Sequence, residues 1–314
     1  MHAAESFNRR GFLKVAGLAA AATGLNSMAR AEAPARPSAT GEGARPSEMS
    51  MRKAVKWGMI QTDGSILEKF KLLKQLGFDG VELDAPSTLN KDEVFKARDE
   101  TGLPIHGVVD SAHWKDTLSH PDPAVRAKGV AALEQALRDA KLYGASTVLL
   151  VPAVVSKEVS YADAYTRSQA EIKKVLPLAG ELGVKIALEN VWNNFLLSPL
   201  EEARYIDEFE SPHIGAYFDV GNVLRYGWPE QWIRVLGKRI LKVDIKEFSL
   251  KKMGDEGLWK GFQVELLEGD CDWPAVMAAL REVGYQGWGT AEIPGGGPER
   301  LKQIAGLMDK IFAS

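Results

Sequence analysis

The feature that most constrains the fold is a strand-like segment followed by an amphipathic helix, repeated eight times from residue 55 onward. Several of the helical segments end at a glycine, which accepts the backbone conformation of a helix C-cap. The predicted strands cover residues 55–60, 80–83, 105–109, 147–151, 184–189, 214–219, 240–246 and 288–293. The predicted helices cover residues 65–76, 91–101, 123–143, 161–182, 199–209, 229–236, 273–283 and 299–312.

Eight β-then-α units in about 260 residues predict a (β/α)8 TIM barrel, an α/β fold of one domain. An open doubly wound sheet is the alternative. No Gly-x-Gly-x-x-Gly motif follows the first strand, which argues against that alternative. No linker or change of charge divides the segment, so we expect one barrel domain over residues 54–314.

The N-terminal residues predict an export signal. Arg9 and Arg10 precede Phe12-Leu13-Lys14, and an apolar run over residues 15–25 follows. This run is short for a permanent membrane anchor, and Ala29-Arg30-Ala31 fits a cleavage site. The pattern resembles the bacterial twin-arginine signal, which exports folded proteins. An ordinary secretory signal or an uncleaved helix on the lipid surface is the alternative.

The domain prediction for this region follows from the signal. Residues 1–31 are predicted to be a twin-arginine signal peptide, and residues 32–53 a disordered linker rich in Pro, Ser, Gly and Ala. We expect a periplasmic or secreted protein that the twin-arginine machinery exports in the folded state. After cleavage it would keep no stable membrane anchor.

Composition and charge exclude several classes of partner and site. The net charge is −3, and the N-terminal segment is basic, so the rest of the chain is more acidic still. This argues against nucleic acid as the main partner. The single cysteine, Cys271, excludes an internal disulfide and a cysteine-rich zinc site. The sequence contains no Gly-x-Ser-x-Gly, P-loop or His-Glu-x-x-His motif, and it leaves homo-oligomerisation open.

Four predicted strands carry a carboxylate at or near their carboxyl ends: Glu189, Asp219, Asp244 and Glu292. Alternate residues of a barrel strand point inward, and the active sites of such barrels lie at the carboxyl ends of the strands. Four neighbouring carboxylates repel one another, and a divalent cation is the simplest way to hold them together. An all-carboxylate set favours Mn²⁺ or Mg²⁺ over Zn²⁺.

Alternation along the strands predicts which side chains face the barrel axis. The apolar residues of the seventh strand, Leu241 among them, should face the helices. Its inward-facing residues should be Lys242, Asp244 and Lys246. On the third strand, His106 and Val108 should share a face. Pairing with a lysine, either Lys242 or Lys246, is the alternative to metal binding for any one acid.

Six segments of the body form an ordered set of motifs. They are Phe78-Asp79-Gly80-Val81-Glu82-Leu83, Ala187-Leu188-Glu189-Asn190, Phe218-Asp219-Val220-Gly221-Asn222, Lys242-Val243-Asp244-Ile245-Lys246-Glu247, Gly269-Asp270-Cys271-Asp272-Trp273 and Gly284-Tyr285-Gln286-Gly287-Trp288-Gly289-Thr290-Ala291-Glu292. Together they resemble the sugar phosphate isomerase/epimerase family, the xylose isomerase-like TIM barrels. This family includes ketose 3-epimerases, inosose dehydratases and hydroxypyruvate isomerases.

The resemblance implies a metal site and a pair of catalytic acids. The family supplies Glu, Asp, His and Glu to the metal from strands five to eight. Glu189, Asp219 and Glu292 match this set, and Asp244 stands in the place of the histidine. The two glutamates would also move a proton on the sugar through an enediolate. The same site would serve a sugar dehydratase, hydratase or keto-glycoside lyase, which is the first alternative. A non-catalytic periplasmic sugar-binding barrel is the second.

Further residues are predicted to bind substrate. Tryptophan faces stack on the C–H surfaces of sugars, although packing is their commoner role. Asn222 occupies a position where the family often has histidine, and Trp259 in the loop after the seventh strand is a further candidate. Sugar phosphates are mainly cytoplasmic, so an exported enzyme is expected to act on a non-phosphorylated sugar or keto-sugar. The predicted substrate-binding set is Glu82, His106, His113, Trp114, Trp192, Asn222 and Lys246.

Overall fold

The computed structural model describes residues 51–314 as a closed barrel of eight parallel strands, paired in chain order with the eighth strand against the first. This confirms the predicted (β/α)8 fold. The predicted signal peptide and nearly all of the predicted linker lie outside the described residues. The strands are β1 Arg52–Lys56, β2 Gly80–Ala85, β3 Ile105–Asp110, β4 Thr147–Leu150, β5 Lys185–Glu189, β6 Ile214–Asp219, β7 Ile240–Ile245 and β8 Trp288–Ala291.

Helices follow the strands along the described chain, and local sequence signals set their ends. The Ser65 hydroxyl and the Glu68 carboxylate exchange hydrogen bonds with each other's backbone N–H in a capping box. Asp122 caps the third helix, which ends at Gly144 with φ of 80°. The helices are α1 Ile66–Gln75, α2 Lys91–Thr101, α3 Pro123–Tyr143, α4 Tyr161–Leu182, α5 Pro199–Asp207, α6 Val220–Val223, α7 Pro229–Leu236, α8 Leu250–Glu256, α9 Trp273–Glu282 and α10 Pro298–Phe312.

The first strand differs from its prediction. β1 begins at Arg52, and the predicted strand residues 57–59 form a 3-10 turn. Arg52 and Lys53, assigned to the linker, therefore belong to the barrel. Their charge made them resemble linker residues, but both charges have partners. The Lys53 ammonium donates to Ala305 O at 3.3 Å and Asp309 Oδ1 at 2.5 Å, and the Arg52 guanidinium stacks 4.1 Å from the ring centre of Trp288.

Two irregularities in strand pairing overturn the predicted faces of Val108 and Leu241. The register shifts by one residue between β2 and β3, at His106, and between β6 and β7, at Leu241. An extra residue in one strand changes which side chains point inward beyond it. Val108 packs in the outer core, so it does not share a face with His106. Leu241 packs with the inner residues Leu149, Ala187 and Tyr217 rather than against the helices.

The barrel has an apolar outer layer and a polar interior. Apolar strand residues pack against the helices in one continuous core that includes Val81, Val148 and Val243. Burying each such side chain stabilises the fold by about 1.5–3 kcal/mol, before the entropy of ordering it is counted. The interior contains a small apolar cluster with many buried polar groups above and below it. Because buried polar groups are costly without partners, their arrangement identifies the candidate site.

Candidate active site at the carboxyl ends of the strands

Four carboxylates converge at the carboxyl ends of β5 to β8. One oxygen each from Glu189, Asp219, Asp244 and Glu292 lies within 4.8 Å of the other three. Asp219 and Asp244 are completely buried, and Glu292 is partly open to solvent. The expectation that the four acids face one another is therefore met. Closing the barrel brings together residues that are up to 103 positions apart, Glu189 and Glu292.

Two lysines penetrate this acidic cluster. The Lys56 ammonium, from the end of β1, lies 2.9 Å from Asp244 Oδ2 and 3.1 Å from Glu292 Oε2. The Lys246 ammonium lies 2.8 Å from Asp219 Oδ2 and 3.3 Å from Glu292 Oε2. Glu292 is thus shared by both cations. Lys246 was predicted at this face, with pairing to Asp244 as one of its roles. Its partners are instead Asp219 and Glu292.

The sequence analysis missed Lys56. Burial lowers the pKa of this ammonium, but the neighbouring charges of Asp244 and Glu292 outweigh burial and raise the pKa well above its usual value. The group therefore stays charged. One signal was present in the sequence, because Lys56 follows the apolar pair Ala54-Val55 and ends its strand at the same edge of the barrel as the four acids. Its carboxylate partners are 26 to 236 residues away in sequence, so their pairing was not visible.

The two glutamates of the cluster have opposite electrostatic environments. Burial, together with the charge of Glu292, raises the pKa of Glu189 to about 8. Burial also acts on Glu292, but Lys246 and Lys56 outweigh it and lower the pKa of that carboxyl. One member of the pair therefore favours the protonated form near neutral pH and the other the ionised form. Carboxylates with separated pKa values are typical of acid–base pairs.

A hydrogen-bonded layer lies beneath the acidic cluster. The Tyr217 hydroxyl contacts both Glu82 oxygens at 3.1 Å and Thr290 Oγ1 at 3.0 Å. His106 contacts Thr290 Oγ1 through Nε2 at 3.2 Å, and its ring stacks on Trp288. Burial, with the nearby Lys242 charge, lowers the pKa of His106 well below its usual value. Neither Glu82 nor His106 lines the cavity above, so the structure places both as supports of the floor.

Asn190 and Asn222 join the ends of β5 and β6. Asn190 accepts the Asp219 N–H at 2.7 Å and donates its amide to Asp219 O at 2.9 Å. Asn222 donates its amide to Asn190 O and its backbone N–H to Asp219 Oδ1, and its carbonyl accepts the Trp192 indole N–H. This network fixes the strand ends that carry Glu189 and Asp219, and it holds Trp192 in the wall of the cavity. Asn190 was noted within its motif, but its role as a brace was not predicted.

A cavity of about 290 Å³ opens above the acids. Trp114, Trp192, Asn222 and Lys246 were all predicted to bind substrate, and all four line it. His113 does not: its Nδ1 accepts the Val151 N–H at 3.2 Å, and burial lowers its pKa to about 4. A larger groove outside the barrel, between α4 and α5, contains no comparable cluster of acids. The full lining of the inner cavity is Trp114, Glu189, Val191, Trp192, Asn222, Lys246, Trp259, Phe262 and Glu292.

The long segment after β7 forms part of the cavity wall and is folded, which the sequence analysis did not predict. It contains α8 and a 3-10 turn, Leu258–Phe262, that carries Trp259 and Phe262. Glu247 anchors its far end, because this buried carboxylate accepts the Leu267 N–H at 2.9 Å, the Cys271 N–H at 3.1 Å and the Trp273 indole N–H at 2.8 Å. A shared acceptor of this kind holds an irregular segment in one conformation.

The donor set fits a divalent metal ion. Four hard oxygen donors lie close enough for one ion, and Asp244 Oδ1 is buried without a hydrogen-bond partner. Lys56 and Lys246 neutralise part of the negative charge, and the four carboxylates, when all are ionised, exceed them by two. A divalent cation balances that excess.

Among the described residues, no helix is long and apolar enough to cross a membrane.

Comparisons with known proteins identify the family of this chain. Residues 70–311 match the family model described as a xylose isomerase-like TIM barrel. L-ribulose-5-phosphate 3-epimerase UlaE of Escherichia coli strain K12 is 27% identical over 234 residues, covering 70% of this chain and 79% of that protein. The corresponding enzyme of Salmonella paratyphi C is 25% identical over 233 residues, with the same coverage.

Solved structures share the fold. The apo 3-keto-D-glucoside 4-epimerase YcjR from E. coli has a TM-score of 0.71 at 18% identity, covering 84% of this chain and all of that one. An IolI protein with a bound zinc atom has a TM-score of 0.69 at 16% identity, covering 84% of this chain and 98% of that one. At these identities the structural likeness establishes the fold alone. The curated relatives support an enzyme of the sugar isomerase and epimerase class.

Proposed function

We propose, from the premise that this chain belongs to the xylose isomerase-like TIM barrel family, that it is an exported, metal-dependent isomerase or epimerase of a non-phosphorylated sugar or keto-sugar. One observation carries the proposal. Glu189 and Glu292 belong to the four-carboxylate cluster and also line the cavity above it. A sugar in that cavity would meet two acid–base groups and four metal-ligating oxygens together.

The two glutamates carry the proton transfer in this mechanism. β5 and β8 are separated by two strands, so Glu189 and Glu292 approach a bound sugar from different sides. Glu292, kept ionised by Lys56 and Lys246, removes the proton from the carbon beside the carbonyl. Glu189 supplies a proton from the other side. Return of the proton to the opposite face of the same carbon gives an epimer, and its delivery to the neighbouring carbon gives an isomer.

The metal would be held by Glu189, Asp219, Asp244 and Glu292. When bound, it polarises the carbonyl group of the sugar. An all-oxygen donor set favours Mn²⁺ or Mg²⁺. A solved structure of the same fold, the IolI protein, contains a bound zinc atom, which supports a metal in general. The choice of Mn²⁺ or Mg²⁺ rests on the chemistry of the donors.

The cavity lining supports a substrate without phosphate. Among the described residues that line the cavity, the only cation is Lys246, and it is already paired with Asp219 and Glu292. The glycines after β8 pack on another turn, since Gly296 donates its N–H to Met59 O and a Cβ at Gly295 would lie 2.1 Å from the same oxygen. The described lining of the cavity therefore offers a phosphate no basic side chain that is not already paired.

Export is proposed from the sequence alone. The paired arginines, the short apolar run and the cleavage-like Ala29-Arg30-Ala31 favour the twin-arginine route to the periplasm or the medium. A folded export route also allows the metal to be loaded before the protein leaves the cytoplasm. Fractionation of cells that express the full chain, with Arg9 and Arg10 changed to Lys as the control, tests this part. Export of the Arg9→Lys, Arg10→Lys double variant to the same extent as the wild type would contradict the twin-arginine route.

Elimination or hydration on a keto-sugar is the second candidate, and one observation favours it. The Lys246 ammonium lines the cavity beside Glu292. It can therefore hydrogen-bond a departing hydroxyl or glycosyl oxygen after Glu292 has removed the neighbouring carbon-bound proton, and Glu189, whose pKa burial raises to about 8, can protonate that oxygen. Such a leaving group needs a nearby acid. The proton-removal step is common to both candidates.

Incorporation of solvent deuterium into a panel of sugars and keto-sugars, with Mn²⁺ present, tests the proposal. The proposal predicts deuterium on the carbon beside the carbonyl, and a loss of about 10²–10⁴-fold in this exchange in Glu189→Gln and Glu292→Gln. Glu181→Gln, an exposed change on α4, serves as the control and should exchange normally. Loss of a substituent would identify elimination. Tight sugar binding without exchange would favour a sugar-binding protein and contradict the enzyme.

A further inference from the structure

Aromatic side chains form a continuous wall from the acidic floor to the rim of the cavity. The Lys246 ammonium lies 5.4 Å from the ring centre of Phe262. The Phe262 ring is centred 4.8 Å from the Trp192 ring, which is centred 5.1 Å from the Trp259 ring. The Trp259 and Phe262 ring centres are 6.4 Å apart, so the three rings form one cluster on one side of the cavity. A sugar ring positioned at the carboxylates would meet Phe262, the ring beside Lys246, and would leave the more exposed Trp259 free for a further group.

The outer end of the cavity has a second aromatic side. Trp114 follows β3 and Trp259 follows β7, and strands three and seven stand opposite each other in a closed barrel of eight. Both tryptophans line the cavity, and their side chains are 53% and 65% exposed. Large exposed aromatic groups around a cavity indicate a binding surface rather than packing. We call Trp114 and Trp259 the outer subsite.

The outer subsite is preorganised and uncharged. The turn that carries Trp259 is tied to the preceding loop by the Ser249 N–H, which donates to Gly261 O at 2.8 Å. Trp192 is held from behind by its bond to Asn222 and by the Arg225 guanidinium, 4.9 Å from its ring centre. Among the described residues that line the cavity, the charged groups lie on the floor. A neutral, flat-faced group therefore suits this surface better than a phosphate or carboxylate.

We propose that the outer subsite binds the second ring of an uncharged glycoside. The substrate class of the site is then a sugar that carries a further ring on its anomeric oxygen, and a free monosaccharide fills only the inner part. This inference rests on the proposed function, which identifies the group bound at the carboxylates as a sugar. The fit of the second ring depends on Trp114 and Trp259, which take no part in the proton transfer.

Binding of two matched probes tests the proposal. Calorimetry with the Mn²⁺-loaded protein compares methyl β-D-glucoside with phenyl β-D-glucoside, which differ by one ring. We expect the phenyl glucoside to bind about 3- to 10-fold more tightly, the range expected for one added aromatic stacking contact. In Trp259→Ala this preference should fall to within about twofold. Trp228→Ala is the control, because Trp228 is 63% exposed and does not line the cavity. It should keep the wild-type preference.

The outcomes separate this inference from the proposed function. Equal binding of the two probes by the wild type, no binding of either probe, or an unchanged preference in Trp259→Ala would overturn the subsite. A Trp259-dependent preference without deuterium exchange in any sugar would uphold the subsite and refute the enzyme. Deuterium exchange in small ketoses, with no preference for the phenyl glucoside, would uphold the enzyme and refute the subsite.

Discussion

Replacing Lys56 with methionine should destabilise the metal-free protein while strengthening metal binding. The substitution keeps the length of the side chain and removes an ammonium that lies 2.9 Å from Asp244 and 3.1 Å from Glu292. Removing one partner of a buried ion pair costs about 3–5 kcal/mol. The lower end of this range applies, because the Lys56 side chain is 16% exposed and Lys246 still contacts Glu292. We therefore expect a loss of about 3 kcal/mol.

Urea denaturation with a chelator present measures this loss. For a urea dependence near 3 kcal/mol per molar, the midpoint should fall by about 1 M. The same substitution removes a positive charge beside two metal-ligating oxygens, so Mn²⁺ should bind at least ~10-fold more tightly. Mn²⁺ at 100 times its Kd should restore about 2.7 kcal/mol.

A surface ion pair provides the control for Lys56→Met. Lys251 pairs with Asp255 on α8, with the two side chains 84% and 59% exposed. Lys251→Met should therefore change stability by less than about 0.5 kcal/mol. A metal-free Lys56→Met protein as stable as the wild type, or one that Mn²⁺ does not rescue, would refute the electrostatic account of the site.

Two further predictions concern buried acids outside the catalytic pair. Burial raises the pKa of Glu202 to about 8, and neither of its oxygens has a hydrogen-bond partner. The folded state therefore holds a proton that the unfolded state releases, so stability should fall between about pH 5 and pH 8. By urea denaturation, Glu202→Met should be more stable than the wild type by about 3 kcal/mol at pH 8 and nearly equal to it at pH 5. An equal difference at both pH values would contradict this. Glu247→Ala leaves four donors without their acceptor, so it should lose about 3 kcal/mol and expose residues 248–272 to limited proteolysis. An unchanged cleavage pattern would show that Glu247 does not anchor the segment.

Local signals accounted for most of the fold. β6, α2 and α4 match their predicted bounds residue for residue, because hydrophobic periodicity and caps such as Ser160 and Gly183 act within a few residues. The first strand was misplaced because the partners of Lys53 lie on α10, more than 250 residues away. The extra residues at His106 and Leu241 depend on pairing with neighbouring strands, which single-strand alternation does not reveal.

Site residues could be predicted where their role follows from a position at the end of a strand. They were missed where the role depends on contacts between distant parts of the chain. The four acids were found because each lies at the carboxyl end of a strand. Lys56 was missed because its role depends on Asp244 at the end of β7 and on Glu292 just after β8, which are far away in sequence. The folded segment after β7 was predicted only as a loop, since its order depends on the buried Glu247 rather than on helical periodicity.

Calorimetric titration of Mn²⁺ into the metal-stripped protein tests the central claim most directly. The claim is that Glu189, Asp219, Asp244 and Glu292 act together as one metal site. We predict one ion per chain in the wild type and in Glu181→Gln, and no measurable binding in Glu189→Ala. A stripped wild-type protein that binds no Mn²⁺ or Mg²⁺, or a Glu189→Ala variant that binds one ion as tightly as the wild type, would contradict the account.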